Sequence, residues 1–234
     1  MLRPIGDDVW AYEAIVRLPA GFALPARATV VRRDDGALVL HSPLPIDDAT
    51  AAAIAEVGEV RAIVAPSCTH YLHVRAAAER YPRACVWGAP GLEKKLAGVA
   101  LSPLPTSGAV EGLRVRLVEG VPYLTEHLFL HERSASLLVT DFIFNVNRLD
   151  NLPMKIFLWM AGTWKRPAQS KLWRLVVEDR AALARSVSDI LAWDFTRVVT
   201  AHGDVLEENA RAHLQRAAGW MTRGRSRLLG AKAA

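Results

Sequence analysis

Hydrophobic and polar positions alternate over short distances along much of the chain, which is typical of β-strands. The strictest alternation lies in Leu113–Val118 and predicts a strand with one buried face. The turn residues Asp34-Asp35-Gly36 separate two apolar runs and predict a β-hairpin. In chain order, the predicted strands are residues 8–13, 28–32, 37–41, 60–65, 84–87, 113–118, 126–132, 136–140 and 197–201.

Helical spacing of apolar residues predicts the remaining elements. Asp47–Val57 begins with two acidic residues and continues with alanines, which is typical of a capped helix. Further helices are predicted at residues 72–80, 90–96, 178–193 and 206–221, and one apolar helix is predicted within residues 146–170. Strands followed by helices are typical of a layered α/β fold. Because no Gly/Ser-rich linker divides the chain, we expect one domain over residues 1–222, followed by a basic tail over residues 223–234.

Composition excludes several classes of protein. Hydrophobic residues make up 51% of the 234 residues and charged residues 23%, which is too apolar for long disorder. Two cysteines, Cys68 and Cys85, cannot form a disulfide scaffold. We find no secretory signal pattern and no apolar run long enough to span a membrane, so we expect a cytoplasmic protein without a membrane partner.

The charge balance is mildly basic, with 29 Lys and Arg residues against 24 Asp and Glu residues. A basic balance raises the hypothesis of a nucleic-acid partner. Much of the excess lies near the C-terminus, however, which favours a solvated basic tail and argues against nucleic-acid binding.

Three predicted strands, the fourth, eighth and ninth, end beside residues that bind metals or transfer protons. These residues are Cys68, His70 and His73 after the fourth strand, Asp141 after the eighth and His202 after the ninth. Sites in α/β sheets gather beyond the carboxyl ends of strands, so these side chains are candidates for one cleft. Imidazole, carboxylate and thiolate together suit zinc or iron. Each of these candidate residues could instead have a purely structural role. Cys68 could be a buried apolar side chain, and Asp141 could cap a turn.

The stretch from Cys68 to His73 resembles the signature of the metallo-β-lactamase superfamily, His-x-His-x-Asp-His after a strand. His70 and His73 match the second and last histidines of that signature. Cys68 stands in place of the first histidine, and Leu72 stands in place of the aspartate.

Other parts of the chain extend this resemblance over nearly its whole length. Thr140-Asp141 is similar to the family's bridging aspartate, and His202-Gly203 is similar to its last histidine, whereas the turn at residues 120–123 lacks the histidine found there in the family. Ser42-Pro43 and the segment 81–92 are similar to a divergent subgroup of bacterial proteins. The resemblance implies an α/β fold in a four-layer αββα sandwich.

The resemblance implies a reduced version of the family's dinuclear metal site. The implied metal ligands are Cys68, His70, His73, Asp141 and His202, of which Asp141 and His202 are also the implied catalytic residues. The first hypothesis is a metal-poor, weakly active or non-catalytic protein that binds a small ligand or a partner in the cleft.

Two alternatives remain open. One is a hydrolase of an ester, thioester, lactone or phosphoester that uses a single Zn or Fe ion held by His73, Asp141 and His202, with His70 or Cys68 as a fourth ligand. The other is a nucleic-acid-associated protein. The aromatic-rich residues 146–175 are expected to cover the pocket or to form a homodimer contact.

Overall fold

Two β-sheets form the centre of the protein in a computed structural model, which describes residues 1–222. The first sheet has seven strands in chain order: β1 (Arg3–Gly6), β2 (Val9–Arg17), β3 (Ala23–Arg32), β4 (Leu38–His41), β5 (Val60–Ala65), β6 (Cys85–Gly88) and β7 (Leu101–Pro103). The second sheet has five strands in the order β12, β11, β10, β9, β8: β8 (Ser107–Val110), β9 (Leu113–Leu117), β10 (His127–His131), β11 (Ser136–Val139) and β12 (Arg197–Thr200).

Five α-helices accompany the sheets within the described residues: α1 (Asp48–Val57), α2 (Val74–Arg80), α3 (Leu152–Ala161), α4 (Arg180–Leu191) and α5 (Ala210–Thr222). Three of them start at side-chain caps that their sequences favour, and at α4 the Asp179 carboxylate accepts the N–H groups of Ala181 and Ala182. The Asp47 carboxylate accepts the Thr50 N–H at the start of α1, and the Asn151 amide oxygen accepts the Met154 N–H at the start of α3.

Strand direction changes within each sheet. The first three strand pairs of the first sheet are antiparallel, and β4 through β7 are parallel. In the second sheet, β11 and β12 are parallel, and the other pairs are antiparallel. The carboxyl ends of β4, β5 and β6 therefore meet at one edge of the first sheet, and those of β11 and β12 meet at one edge of the second.

The sheets pack face to face with helices outside, which is the αββα sandwich that the resemblance implies. Phe129 on β10 points into the core between the sheets and contacts the His41 ring at 5.2 Å between centroids. Its neighbours Leu128 and Leu130 point to the other side and pack in the cluster formed with α4 and α5. On the outer side of the first sheet, Ile54 of α1 joins the same core as the strands.

A third, smaller cluster joins α3 to the β2–β3 hairpin. Met154 and Leu158 of α3 pack with Leu24 of β3. Phe22 makes an edge-to-face contact with Phe157, with ring centroids 6.0 Å apart. The apolar helix predicted within residues 146–170 is thus present, and it packs against the hairpin.

The structure corrects some predicted elements. The predicted helix at residues 90–96 is wrong: the segment consists of turns, and Gly91 near its start adopts φ +92°, which is incompatible with a right-handed helix. The last helix starts at Ala210 and not at Leu206, because Leu206 pairs with the backbone of Val198.

Sequence patterning also missed three short strands, β1, β7 and β8, whose residues are mostly exposed and give no apolar run. The predicted basic tail at residues 223–234 lies outside the described residues. Within residues 1–222, no helix has the length and apolar character needed to cross a membrane.

Candidate functional site

Three loops at the carboxyl ends of strands bring candidate side chains together. His70 lies in the loop after β5, Asp141 follows β11 and His202 follows β12. Because β11 and β12 are parallel neighbours, with Val139 paired to Thr200, Asp141 and His202 emerge side by side. The fold therefore joins residues that are up to 132 positions apart in the sequence.

Distances within this group are short. The Nε2 atoms of His70 and His202 lie 3.2 Å apart. Asp141 faces both rings, with Oδ2 3.6 Å from His70 Nε2 and Oδ1 3.4 Å from His202 Nε2. One ligand atom from each residue lies within 4.8 Å of those from the other two.

The backbone fixes the tautomer of His202. Its Nδ1 lies 3.0 Å from the Pro25 carbonyl oxygen, which can only accept a hydrogen bond, so Nδ1 carries the proton. In the neutral ring, Nε2 then presents a lone pair toward the site. Phe144 stacks on the same ring, with centroids 5.1 Å apart and planes 9° from parallel, and so holds its orientation.

His70 has a more adaptable partner. Its Nδ1 lies 2.8 Å from the Ser42 hydroxyl oxygen, and a hydroxyl can donate or accept. Either tautomer of His70 is thus satisfied at Nδ1. Ser42 follows β4 and adopts φ +52°, a left-handed conformation that is uncommon for residues other than glycine. Sequence analysis noted Ser42 without assigning it to the site, because only the fold shows its contact with His70.

A chain of hydroxyl groups orients Asp141. The Thr69 hydroxyl donates to Asp141 Oδ2 at 2.7 Å, and the hydroxyls of Ser67 and Thr69 lie 2.9 Å apart. Burial raises the pKa of Asp141, but the adjacent His70 and His202 outweigh that effect and hold its pKa well below the usual range. Asp141 is therefore an anion, and 19% of its side chain remains accessible.

A second carboxyl group fixes the loop that carries Asp141. Glu126 Oε1 accepts N–H bonds from Thr140 at 2.7 Å and Phe142 at 3.1 Å, the residues on either side of Asp141. Burial, and secondarily the negative charge of Asp141, raises the pKa of Glu126 to about 8. No sequence signal distinguishes Glu126 from an ordinary strand residue.

Close backbone approach explains the glycine after His202. Gly203 adopts φ +93°, and a Cβ atom there would lie 2.1 Å from the Asn145 carbonyl oxygen. The Asn145 N–H donates to the His202 carbonyl at 3.0 Å. The His202-Gly203 pair is thus required by packing as well as by the site.

Two of the predicted ligands lie outside the close group. Cys68 contacts the Pro90 carbonyl oxygen at 3.2 Å and accepts a hydrogen bond from the Thr125 hydroxyl at 3.1 Å. His73 is half-buried at the start of α2 and does not share the group of ligand atoms. Of the five predicted ligands, the structure therefore brings His70, Asp141 and His202 together and leaves Cys68 and His73 outside that group.

Leu72, which stands in place of the aspartate of the signature, and Val121, in the turn that lacks a histidine, have separate environments. Leu72 lines the cavity beside the trio and keeps 55% of its surface exposed. Val121 is 2% exposed and packs in the outer core with α4 and α5. Neither side chain has an atom that binds a metal ion.

A cavity of about 390 Å³ opens beside the trio. Its far wall is apolar and comes mainly from the β2–β3 hairpin and the segment after β4, namely Val16, Leu18, Leu24, Ala26, Pro43 and Leu44. Among the described residues that line it, none is lysine or arginine. A volume in this range holds a small organic molecule.

The donor set fits a single metal ion. Two donors bound to a tetrahedral zinc ion at about 2.0–2.1 Å lie roughly 3.3–3.4 Å from each other. The Nε2 atoms of His70 and His202, 3.2 Å apart, are close to that separation, and each faces a different oxygen of Asp141, at 3.6 and 3.4 Å. Two imidazole nitrogens with a carboxylate suit zinc or iron.

Sequence comparisons match only the first part of the chain. Residues 6–92 match a family described as a domain of unknown function, DUF4336. A search of curated protein sequences finds no match to this chain.

Solved structures match over nearly the whole chain. A metallo-β-lactamase from Hirschia baltica is 14% identical with a TM-score of 0.62, covering 95% of this chain and 97% of that one. A metallo-β-lactamase from Erythrobacter litoralis is 16% identical with a TM-score of 0.59, covering 94% and 92%. A metal-soaked Flv1 flavodiiron core from Synechocystis sp. PCC6803 is 12% identical with a TM-score of 0.64, covering 95% and 60%.

The arrangement of sheets and helices and the matches to solved structures identify the same fold. The chain is an αββα sandwich with the fold of the metallo-β-lactamase superfamily.

Proposed function

We propose that the protein holds one zinc or iron ion at His70, Asp141 and His202 and hydrolyses a small neutral ester, thioester or lactone. The observation that carries this proposal is the close group of one ligand atom each from His70, Asp141 and His202, all within 4.8 Å of one another, at the edge of a cavity. Three protein ligands leave one coordination position open for water or substrate. The flavodiiron and metallo-β-lactamase structures with this fold are consistent with a metal ion there.

The residues around the trio have distinct roles in this proposal. A bound ion would lower the pKa of a coordinated water and polarise a substrate carbonyl. The Pro25 carbonyl keeps Nε2 of His202 available as a ligand, and the Ser42 hydroxyl can accept the Nδ1 proton of His70, which leaves Nε2 of that ring available as well. Thr69 donates a hydrogen bond to one oxygen of Asp141. The other oxygen is then free to bind the proposed ion or to accept a proton.

The lining of the cavity supports the choice of substrate class. An anionic phosphoester would need cationic partners, and the described lining contains no lysine or arginine. A neutral carbonyl compound with an apolar arm would instead pack against Leu18, Leu24 and Leu44. We therefore favour the carbonyl esters over the phosphoesters.

The test is the metal content of protein purified without chelator and then reconstituted with zinc or ferrous iron. We expect about one ion per chain in the wild type, and loss of that ion in His70→Ala and in His202→Ala. His73→Ala is the matched control, because His73 also lines the cavity but lies outside the trio. Loss of the ion in His73→Ala with retention in His70→Ala would contradict the proposed ligand set.

A second candidate function is supported by Leu72. This apolar side chain borders the cavity where the family has a metal-binding aspartate, which favours a non-catalytic protein that binds a small apolar ligand. Failure of the reconstituted wild type to bind any ion would refute the hydrolase and leave this ligand-binding role. Turnover of aryl esters, thioesters or lactones that is lost in Asp141→Asn would instead support the hydrolase.

A further inference from the structure

A second cavity, of about 410 Å³, lies between residues 162–174 and one face of α5. Its floor includes the Trp220 ring, whose Nε1–H donates to Gln169 Oε1 at 2.6 Å. Gln169 is 8% exposed, so this contact fixes the ring against the protein. The Arg174 guanidinium covers the Trp220 ring, 5.1 Å from its centroid.

Positive charge dominates this second cavity. Its described lining includes Arg166, Lys171, Arg174 and Arg216, and no aspartate or glutamate. All four side chains belong to exposed residues. Within residues 1–222, none of these four forms an ion pair, although many other arginines of the protein do.

Two of these cations are held close together. Lys171 Cε and Arg166 Nη2 lie 3.0 and 3.2 Å from the position that a Cβ atom on Gly162 would occupy. Arg166 Nε donates to the Gly162 carbonyl at 2.8 Å, which leaves its terminal nitrogens available to a ligand. Like charges this close repel each other, and an anion between them would remove that repulsion.

An adjoining cavity of about 430 Å³ shares this pair of cations. It is lined by Arg166 and Lys171 together with Trp159, Met160 and Trp164. The two cavities therefore meet at the cationic pair, with tryptophan rings on both sides. Arginine forks bind the oxygens of phosphate in pairs, and aromatic rings pack against the rest of a ligand.

We propose that this cationic cavity binds a phosphate-bearing ligand, with Arg166, Lys171, Arg174 and Arg216 contacting the phosphoryl oxygens. The ligand is either a free phosphorylated molecule or the headgroup of a phospholipid, since both present the same oxygens. None of the residues that line this cavity belongs to the trio of His70, Asp141 and His202, so the proposal does not depend on the proposed hydrolase.

The test uses the full-length protein, stripped of metal so that chelation cannot contribute, and inorganic pyrophosphate as the probe. Calorimetric titration at constant ionic strength compares the wild type with Lys171→Glu and Arg174→Glu. Lys94→Glu is the matched control, because Lys94 is exposed and lines none of these cavities, and its replacement changes the net charge equally. Thermal melting in chloride checks that each variant is folded.

We expect at least tenfold weaker pyrophosphate binding in Lys171→Glu and Arg174→Glu, with unchanged binding in Lys94→Glu. In a parallel arm, sedimentation with vesicles of phosphatidic acid and of phosphatidylcholine tests the headgroup source. Binding to phosphatidic acid vesicles that requires Lys171, without binding of pyrophosphate, would assign the ligand to the lipid. Equal losses in all three variants, or no binding of either probe, would overturn the proposal.

Discussion

Replacement of Ser42 by alanine tests how the trio is organised. The Ser42 hydroxyl is the partner of His70 Nδ1 at 2.8 Å. The variant leaves this nitrogen without its partner while all three proposed ligands remain. Because the ring of a metal-binding histidine is oriented by the partner of its other nitrogen, we expect weaker metal binding.

The magnitude follows from the loss of this single hydrogen bond. Removal of such a partner typically weakens metal binding about 10–100-fold, which is about 1.4–2.7 kcal/mol. At a zinc concentration about 100 times the wild-type Kd, zinc stabilises the wild type by about 2.7 kcal/mol. The same concentration would stabilise Ser42→Ala by only about 0.4–1.4 kcal/mol. For a domain of this size, these values correspond to Tm increases of roughly 5–11 °C and 1–6 °C.

The assay is thermal unfolding with and without zinc, because the difference between the two Tm values cancels any effect of the substitution on the metal-free protein. Ser134→Ala is the matched control. Its hydroxyl lies 2.7 Å from His131 Nδ1, so the same type of hydrogen bond is removed away from the site. Equal zinc-dependent Tm increases in Ser42→Ala and Ser134→Ala would refute the role assigned to Ser42. The absence of any increase in the wild type would refute the zinc site itself.

Three further predictions concern folding stability. Gly203→Ala should destabilise the protein by more than about 2 kcal/mol in urea unfolding, because its Cβ would meet the Asn145 carbonyl at 2.1 Å. Gly36→Ala, at a similar φ in open space, should cost only about 1 kcal/mol, and equal costs would contradict this explanation. Burial lowers the pKa of His127 from 6.5 to about 4, so protonation of the unfolded chain should remove roughly 3 kcal/mol of stability as pH falls between these values. His127→Asn should flatten this part of the pH–stability curve, and an unchanged slope would contradict the reasoning. Leu158→Ala should cost about 2–5 kcal/mol of unfolding free energy, since Leu158 is 1% exposed, and a cost below about 1 kcal/mol would show that the small cluster contributes little.

The pattern of apolar and polar residues predicts most of the fold, because the apolar side chains of a strand are the ones that the fold buries. The mostly apolar strands β5 and β10 of the core are both predicted. The helix predicted at residues 90–96 is wrong, since leucines at helical spacing outweigh the effect of Gly91. Strands β1, β7 and β8 escape prediction because their exposed residues give no apolar pattern.

The tryptophans show a second limit of prediction from residue type and spacing. Four tryptophans lie between residues 159 and 193, and the sequence does not separate the buried from the exposed ones. Trp173 and Trp193 are buried, at 3% and 9% exposure, whereas Trp159 is 70% exposed. Residue type and spacing alone do not state which side of a helix faces solvent when that helix is apolar all round.

For the candidate site, the sequence determined the residue types and their places at the ends of strands, because chain order alone fixes which side chain follows which strand. It did not determine which of the candidate residues come together. His70 and His73 are equivalent by spacing, and only the turn after β5, together with the contact to Ser42, directs His70 toward Asp141 and His202. Partners such as Pro25, Ser42 and Glu126 lie far from these residues in the chain. The contacts of Ser42 and Glu126 exist only once neighbouring strands have paired, and the contact of Pro25 exists only once the two sheets have packed.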